Sequence, residues 1–301
     1  MNILVIGYGS IGKRHAALLE KMGHPIALVT QQITNDHLRY SSINQAIANR
    51  KFDYIVIANA TSLHFDTLNE LVNNQFEGKI MVEKPLFSEP VENLIKIKSS
   101  IYVGYNLRFH SVIQRLKKLL SDEKLISFSA RVGQYLPEWR KNIDYTDTYS
   151  AQKELGGGVL RDLSHELDYS TWICGPAAQV TALGGRFSDL HINSEDSYSI
   201  VMQCRHCPMV LFHMDYLSRI PRRELHIQTA KHTYFADLIY NVLQIDEKKE
   251  VLPAVDTYEA EHIAILNSHV ETLCDYEQGL NIVKLIKIIE NANQEKKWIT
   301  V

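Results

Sequence analysis

The chain has 301 residues, of which 45% are apolar and 22% charged, and its formal net charge is -3. That length exceeds the commonest size of a single core and implies two packed domains or one large α/β unit. The near-neutral balance supplies no field to draw in nucleic acid or an anionic membrane surface, so neither is expected as a partner.

No apolar stretch approaches the roughly 18 residues needed to span a bilayer, and the first apolar run reads as a short strand rather than a signal-peptide core. A cytoplasmic protein is expected. The four cysteines, Cys174, Cys204, Cys207 and Cys274, are too few and too scattered for a disulfide framework, in keeping with a reducing compartment.

From residue 1 to residue 104, short β-branched runs alternate with helical patterns. In order they are "NILVI", a helix over 11–22, "IALVT", a helix over 42–49, "YIVIA", a helix over 63–73, "KIMVE", a helix over 90–98, and "IYVG". Alternation at this pace indicates βαβ units, and hence a doubly wound parallel sheet of the Rossmann kind with helices on both faces. Residues 105–301 follow another grammar. One helix over 111–120 leads into the longer alternating segments "LISFSARVGQY", "QVTALGG", "DSYSIVMQ", "MVLFHMDYL" and "RELHIQTA", interrupted by a helix over 160–173. Strands that follow one another through short turns imply a mostly antiparallel open sheet, so the second domain is α+β. Helices over 259–273 and 277–291 and a short strand in "KWITV" close the chain.

Cys204 and Cys207 form a C-x-x-C in "VMQCRHCPMVLF". A structural zinc site needs a second pair of ligands, and a redox C-x-x-C opens a helix. This pair falls on the expected turn of a hairpin, so both are read as turn residues and no metal is expected.

Gly7, Gly9 and Gly12 form G-x-G-x-x-G between the first strand and the first helix, the context that the dinucleotide fingerprint requires. Gly7 permits the tight turn, Gly9 leaves room for a pyrophosphate, Gly12 lets the helix pack on the strand, and the N–H groups of Ser10 and Ile11 meet the phosphates. An NAD site usually carries Asp or Glu about 20 residues beyond the glycines, on the adenosine 2'-hydroxyl. Here the second strand ends in Thr30, Gln31 and Gln32, with no acid before Asp36. Thr30, Gln31 and Arg14 are suited to a 2'-phosphate, yet no arginine directly follows the strand, and both NAD and NADP stay open.

Hydride transfer at a carbinol carbon needs a group that exchanges the hydroxyl proton, and His is the side chain poised near neutral pH. His165 stands in "RDLSHELD", with Asp162 three residues earlier on the same expected helical face. Lys84, delivered from a strand end in "VEKPLF", is suited to hydrogen-bond the reacting oxygen. Trp139, Arg140, Tyr145, Tyr149 and Lys153 form an aromatic and cationic group suited to sugar rings and to phosphate or carboxylate.

Glu83-Lys84-Pro85, with the glycine fingerprint, "NATSLHFDT" and "GYNLRFH", resembles the Gfo/Idh/MocA oxidoreductases, the glucose-fructose oxidoreductase and inositol dehydrogenase family, over nearly the whole chain. The segment from "GQYLPEWR" through "GGGVLRDLSHELDYSTWICG" is similar to members from bacterial surface-sugar pathways. The resemblance implies hydride transfer between NAD or NADP and a sugar, sugar nucleotide or polyol, with Lys84, Asp162 and His165 catalytic. It implies cofactor contacts from Asn59, Ala60, Thr61, His64, Glu83, Lys84, Asn106 and Arg108, in addition to the fingerprint residues. Substrate contacts are expected from Lys84, Trp139, Arg140, Tyr149, Asp162 and His165. The family's commoner spacing is D-x-x-x-H. The D-x-x-H here turns Asp162 by about 100° on an ideal helix unless the Gly156-Gly157-Gly158 turn absorbs the difference. Residues 1–104 are thus expected to bind the dinucleotide, and residues 105–301 to bind substrate and to form a homodimer or homotetramer through an exposed sheet face. Two alternatives lie in other classes: an NAD-dependent glycoside hydrolase of the same family, and a non-catalytic nucleotide-sensing protein that kept the fold.

Overall fold

A computed structural model of the chain describes residues 1–33, 36–91, 98–140 and 143–301. The helix expected over 90–98 falls on residues 92–97, outside the described residues. Two compact units are present, one of Met1–Tyr105 with Tyr258–Val283 and the other of Asn106–Thr257 with Lys284–Val301. Among the described residues no helix is long and apolar enough to cross a membrane.

The first unit begins β1 (Ile3–Ile6), α1 (Ser10–Lys21), β2 (Ile26–Val29), β3 (Leu38–Tyr40), α2 (Ile43–Asn49), β4 (Tyr54–Ile57), α3 (His64–Asn73), β5 (Lys79–Val82) and β6 (Ser100–Val103). These strands pair in parallel in the order β3-β2-β1-β4-β5-β6, so the direction of winding reverses between β1 and β4. Every residue of β1 and β4 is buried, which is why both read as continuous apolar runs instead of alternating ones. Ser42 starts α2 by accepting the Gln45 N–H. Strand β3 carries no strand signal of its own: it has three residues, two of them exposed, and exists through pairing with β2.

The second unit contains α4 (Ser111–Leu120), β7 (Leu125–Gly133), α5 (Val159–Asp162), α6 (His165–Cys174), β8 (Ala177–Gly185), β9 (Ser197–Cys204), β10 (Cys207–Asp215), β11 (Arg222–Thr229), β12 (Thr233–Asp237), β13 (Val242–Ile245) and β14 (Lys248–Val251). The chain closes with α7 (Thr257–Asn267), β15 (Cys274–Asp275), α8 (Tyr276–Glu295) and β16 (Ile299–Thr300). The nine-stranded sheet runs β14-β13-β12-β11-β7-β10-β9-β8-β16, antiparallel except where β10 lies parallel to β7. Cys204 and Cys207 pair across the β9–β10 turn as expected, and all four cysteines are buried free thiols. Strands β12 to β14 were not anticipated. β14 is exposed along its whole length, and its partners are supplied through turns at Asn241 and Asp246, whose φ values are 55° and 51°.

Residues 258–283, grouped in the sequence reading with the second domain, pack in the first unit. The Lys79 ammonium, at the start of β5, donates to the carbonyls of Ile265 (2.6 Å) and Leu266 (2.8 Å) at the end of α7. Such a cation satisfies carbonyls that a helix terminus leaves without partners. Ser268, at φ 60°, ends that helix well before residue 273. Strand β15 then adds an antiparallel edge to β6, and a side chain at Gly279 would stand 2.4 Å from Val103.

The single helix expected over 160–173 is broken at Leu163 and Ser164 into α5 and α6. α6 buries His165, Glu166, Leu167 and Asp168 together, and two ion pairs fix its rotation. Arg108 grips Asp168 through Nε (2.9 Å) and Nη2 (2.6 Å), and Arg223 meets Glu166 at 2.8 Å. Burying charge this way is costly to undo on one side only. Arg108→Met, which takes the guanidinium from a buried carboxylate, is expected to cost about 3–5 kcal/mol, most of it recovered in Arg108→Met/Asp168→Leu; urea denaturation of the three proteins measures it.

Candidate active site

Between β1 and α1, Gly7 sits at φ +93°, and a side chain there would come within 2.6 Å of Asn59 N and 2.7 Å of the Ala58 carbonyl. A side chain at Gly12 would stand 2.1 Å from the Gly7 carbonyl oxygen, so only glycine lets α1 seat on this turn. Gly9 differs: nothing lies within 4 Å of a side chain built there, and its backbone faces open space. Gly9 is also the N-cap of α1, where no side chain caps the helix and no acid occupies the first turn, leaving the first N–H groups directed outward from Ser10 and Ile11. This cradle lies at the reversal of strand order, where open α/β sheets bind ligands, and it fits a dinucleotide pyrophosphate.

The loop after β4 closes the same crevice with Asn59, Ala60 and Thr61, Asn59 donating to the Thr67 hydroxyl at 2.8 Å. His64, expected at the cofactor, is fully buried. Its Nδ1 lies 3.1 Å from the Pro85 carbonyl and its Nε2 lies 3.2 Å from the Asn59 carbonyl, so the neutral ring donates to one of two loops from below. Burial pushes His64 below the usual imidazole range. At the end of β2 the Thr30 hydroxyl accepts the Gln32 N–H, and Gln31 donates to the Ser41 carbonyl at 3.1 Å. Arg39, on β3, donates to the Gln32 carbonyl at 3.3 Å. The sequence reading did not include this cation, because β3 was not foreseen. Arg14, on α1, lies 4.0 Å from the Tyr258 ring centroid.

Glu83 and Lys84 follow β5 directly, and Glu83, at 8% exposure, lies inside the unit. One carboxylate oxygen is 2.7 Å from His15 Nε2 and the other accepts the Lys84 N–H at 3.1 Å. Glu83 therefore supports Lys84 from beneath.

In the second unit, Asp162 ends α5 and accepts the Tyr216 hydroxyl at 2.6 Å and that of Tyr149. Both tyrosines are pushed well above the usual phenol range, by burial first and then by the Asp162 charge. The Trp139 ring packs edge-on against Tyr216, and Arg140 lies over Tyr149 at 5.6 Å. Trp139, Arg140, Tyr145 and Thr148 share a groove with Leu136, Ile143 and Ser150. His165 opens α6 at 9% exposure. Asn106 and Arg108, expected at the nicotinamide, are each 3% exposed and committed elsewhere, Asn106 to the Thr257 hydroxyl at 2.7 Å and Arg108 to Asp168. Tyr216, whose hydroxyl completes the Asp162 site, was missed because it lies 54 residues away in the chain.

Glu195 holds the start of α5, its carboxylate accepting the Leu160 N–H, and it approaches Gly158 so closely that any side chain there would collide with it. Burial pushes its carboxyl up to about 7, against the pull of Arg161. A carboxyl raised on folding binds its proton more tightly in the native state. Its contribution is therefore complete below the ordinary carboxylate range and is lost as pH rises through about 7. Glu195→Gln is expected to raise stability at pH 8 by about 2–3 kcal/mol and to change it little at pH 4; denaturant midpoints at the two pH values measure the difference.

The NAD-binding Rossmann-fold domain of the oxidoreductase family matches residues 1–100, and the Gfo/Idh/MocA C-terminal domain matches residues 113–234. An uncharacterized oxidoreductase of Synechocystis is 27% identical over 152 residues, which are 48% of this chain and 40% of that protein, so the chain spans less than half of that curated relative. Among solved structures, the WlbA dehydrogenase of Bordetella pertussis, in complex with NADH and UDP-GlcNAcA, superposes with a TM-score of 0.84 at 19% identity, covering 100% of this chain and 98% of that one. Levoglucosan dehydrogenase, in complex with NADH and levoglucosan, does so with 0.85 at 14% identity, covering 100% and 99%. An oxidoreductase of Thermotoga maritima gives 0.84 at 14%, covering 100% and 98%. At these identities the likenesses show the fold. The two domain matches take in the glycine cradle, Glu83-Lys84-Pro85 and the Asp162 and His165 helices, and on them the chain belongs to the Gfo/Idh/MocA oxidoreductase family.

Proposed function

We propose that the protein passes hydride between a nicotinamide dinucleotide and a carbinol carbon of a sugar, sugar nucleotide or polyol. The observation that carries this reading is the open backbone at Gly9, set over an uncapped helix start at the reversal of strand order. The bound dinucleotide supplies the hydride acceptor or donor at nicotinamide C4. His165 takes the hydroxyl proton as the carbinol is oxidised and returns it in the reverse direction. Lys84 hydrogen-bonds the reacting oxygen and stabilises charge that develops there. Asp162, held by Tyr216 and Tyr149, is the supporting carboxylate. Trp139, Arg140 and Tyr149 offer an aromatic face and a cation to the sugar and its anionic substituent. The sugar and sugar-nucleotide ligands of levoglucosan dehydrogenase and WlbA support this substrate class.

With Thr30 and Gln31 where an acid usually binds the ribose, and no arginine directly after β2, the end of β2 does not choose between NAD and NADP. Leu183, Val201, Leu211 and Phe235 share the open face of the second sheet by register, and this face joins the subunits of a homodimer or homotetramer. Four free thiols fit the cytoplasm.

Fluorescence titration is expected to give saturable binding of at least one of NADH and NADPH, and the tighter of the two identifies the cofactor. Binding of neither would remove the foundation of the reading. On a panel of aldoses, polyols and UDP-sugars, His165→Ala and Lys84→Met are expected to lower kcat by about 10²–10⁴-fold while dinucleotide binding persists; undiminished turnover would refute the assignment. Leu211→Glu is expected to lower the mass seen in sedimentation.

A further inference from the structure

Beneath Lys84 runs a row of buried polar side chains drawn from three elements of the first unit and the loop after β5. The Tyr54 hydroxyl on β4 lies 3.0 Å from His262 Nδ1 on α7, and His262 Nε2 lies 2.8 Å from His15 Nδ1 on α1. His15 Nε2 lies 2.7 Å from one Glu83 oxygen, and the other accepts the Lys84 N–H at 3.1 Å. Tyr54, His15 and His262 are each 0% exposed. Apolar side chains of similar size would fill this space without the cost of desolvating four polar groups, so packing alone does not account for them.

The donors and acceptors can be assigned from one end of the row to the other. An ionised Glu83 only accepts, so His15 donates from Nε2. A neutral His15 then accepts at Nδ1 from His262 Nε2, and His262 Nδ1 accepts the Tyr54 hydroxyl proton. A second order closes as well. If His15 takes up a proton, both of its nitrogens donate, His262 accepts at Nε2 and donates from Nδ1 to the Tyr54 oxygen, and the Tyr54 hydroxyl turns to Met81 sulfur, 3.3 Å away. Both orders leave Glu83 as the acceptor of two hydrogen bonds.

We propose that His15 and His262 are positioning residues for Lys84: their hydrogen-bonded row keeps Glu83 a carboxylate against the Lys84 main chain, and that charge holds the Lys84 side chain as an ammonium. This rests on the role given to Lys84 above. The electrostatics run the same way. Burial alone would raise Glu83, but the His15 hydrogen bond and charge, with Lys84, bring it below the usual carboxylate range. Burial, followed by the charges of His15 and His24, pushes His262 well below the usual imidazole range, so it serves as a neutral link. Burial, then Glu261 and Glu83, push Tyr54 well above the phenol range. Other titratable groups facing the row are Tyr258, whose ring packs edge-on against His15, His64 from α3, and His24 and Glu261. In the order with a neutral His15, loss of His262 leaves His15 Nδ1 without its donor, the Nε2–H tautomer loses its support, Glu83 moves toward its protonated form, and Lys84 releases its proton at lower pH.

The test is the pH dependence of Lys84 acetylation by trace acetic anhydride in ligand-free protein, read by peptide mass spectrometry. In His262→Phe the Lys84 midpoint is expected to fall by about one pH unit, a roughly tenfold gain in reactivity at fixed pH, with other lysines unmoved. His262→Gln, whose amide can donate to His15 Nδ1, is expected to restore the parent midpoint. An unmoved midpoint in folded His262→Phe, checked by circular dichroism, overturns the proposal. If that variant does not fold, Tyr54→Phe removes the donor that sets the His262 tautomer, and an unmoved midpoint there overturns it equally. Lys84→Met separates the two readings: retained turnover refutes the catalytic role of Lys84, whereas lost turnover with an unmoved midpoint refutes only the role of the histidines.

Discussion

The missing side chain at Gly12 is the constraint on which the first unit depends. With the Gly7 carbonyl 2.1 Å from where a Cβ would stand, α1 can lie against the turn only because that atom is absent. Seating α1 there leaves the outward N–H groups of its first turn beside Gly9. It also turns the buried face of the helix, with His15, Ala16 and Leu19, onto the sheet. One steric fact therefore places both the open cradle and the histidine that reaches Glu83. Because β1 is the strand at which winding reverses, the same contact defines where the crevice opens.

The second unit solves a related problem by other means. Its site helix is not held by a glycine contact but by charge: Arg108 and Arg223 each close on a carboxylate of α6, and Asp162 is gripped by two tyrosine hydroxyls. Such pairs add little net stability against apolar substitutes, yet they permit one rotation of the helix and oppose the others. In this unit the break at Leu163 and Ser164 puts Asp162 and His165 on different helices, so the two need not share one face. The periodicity argument that paired them on one helix fails for that reason. The residue count between them no longer sets an angle.

The elements legible in the sequence are those whose pattern is local. The strands of the first sheet show as apolar runs because both of their faces are covered, and α2 and α4 show through a capping Ser and an apolar stripe. What was not legible lacked a local signal. β3 and β14 are exposed edge strands that owe their conformation to a neighbour, and residues 258–283 meet the first unit through partners distant in the chain, such as Lys79 with carbonyls 186 and 187 residues away. Cofactor contacts from His64, Glu83, Asn106 and Arg108 were expectations that the family resemblance implied. Neighbourhood in sequence does not say which way a side chain points, and all four turn inward.

By itself, the sequence determined the class of fold, the two grammars of the chain and the glycine cradle, because strand periodicity and the steric demands of glycine act over a few residues. It also marked Lys84, Asp162 and His165 through their motifs. Only the tertiary structure decided what surrounds them: His15 meeting His262 across 247 residues, Tyr216 meeting Asp162 across 54, and Arg108 spent on Asp168. The reason is physical. A buried polar group must find its partner wherever the packed chain brings one within hydrogen-bond reach, and that choice is made in space and leaves no period in the sequence.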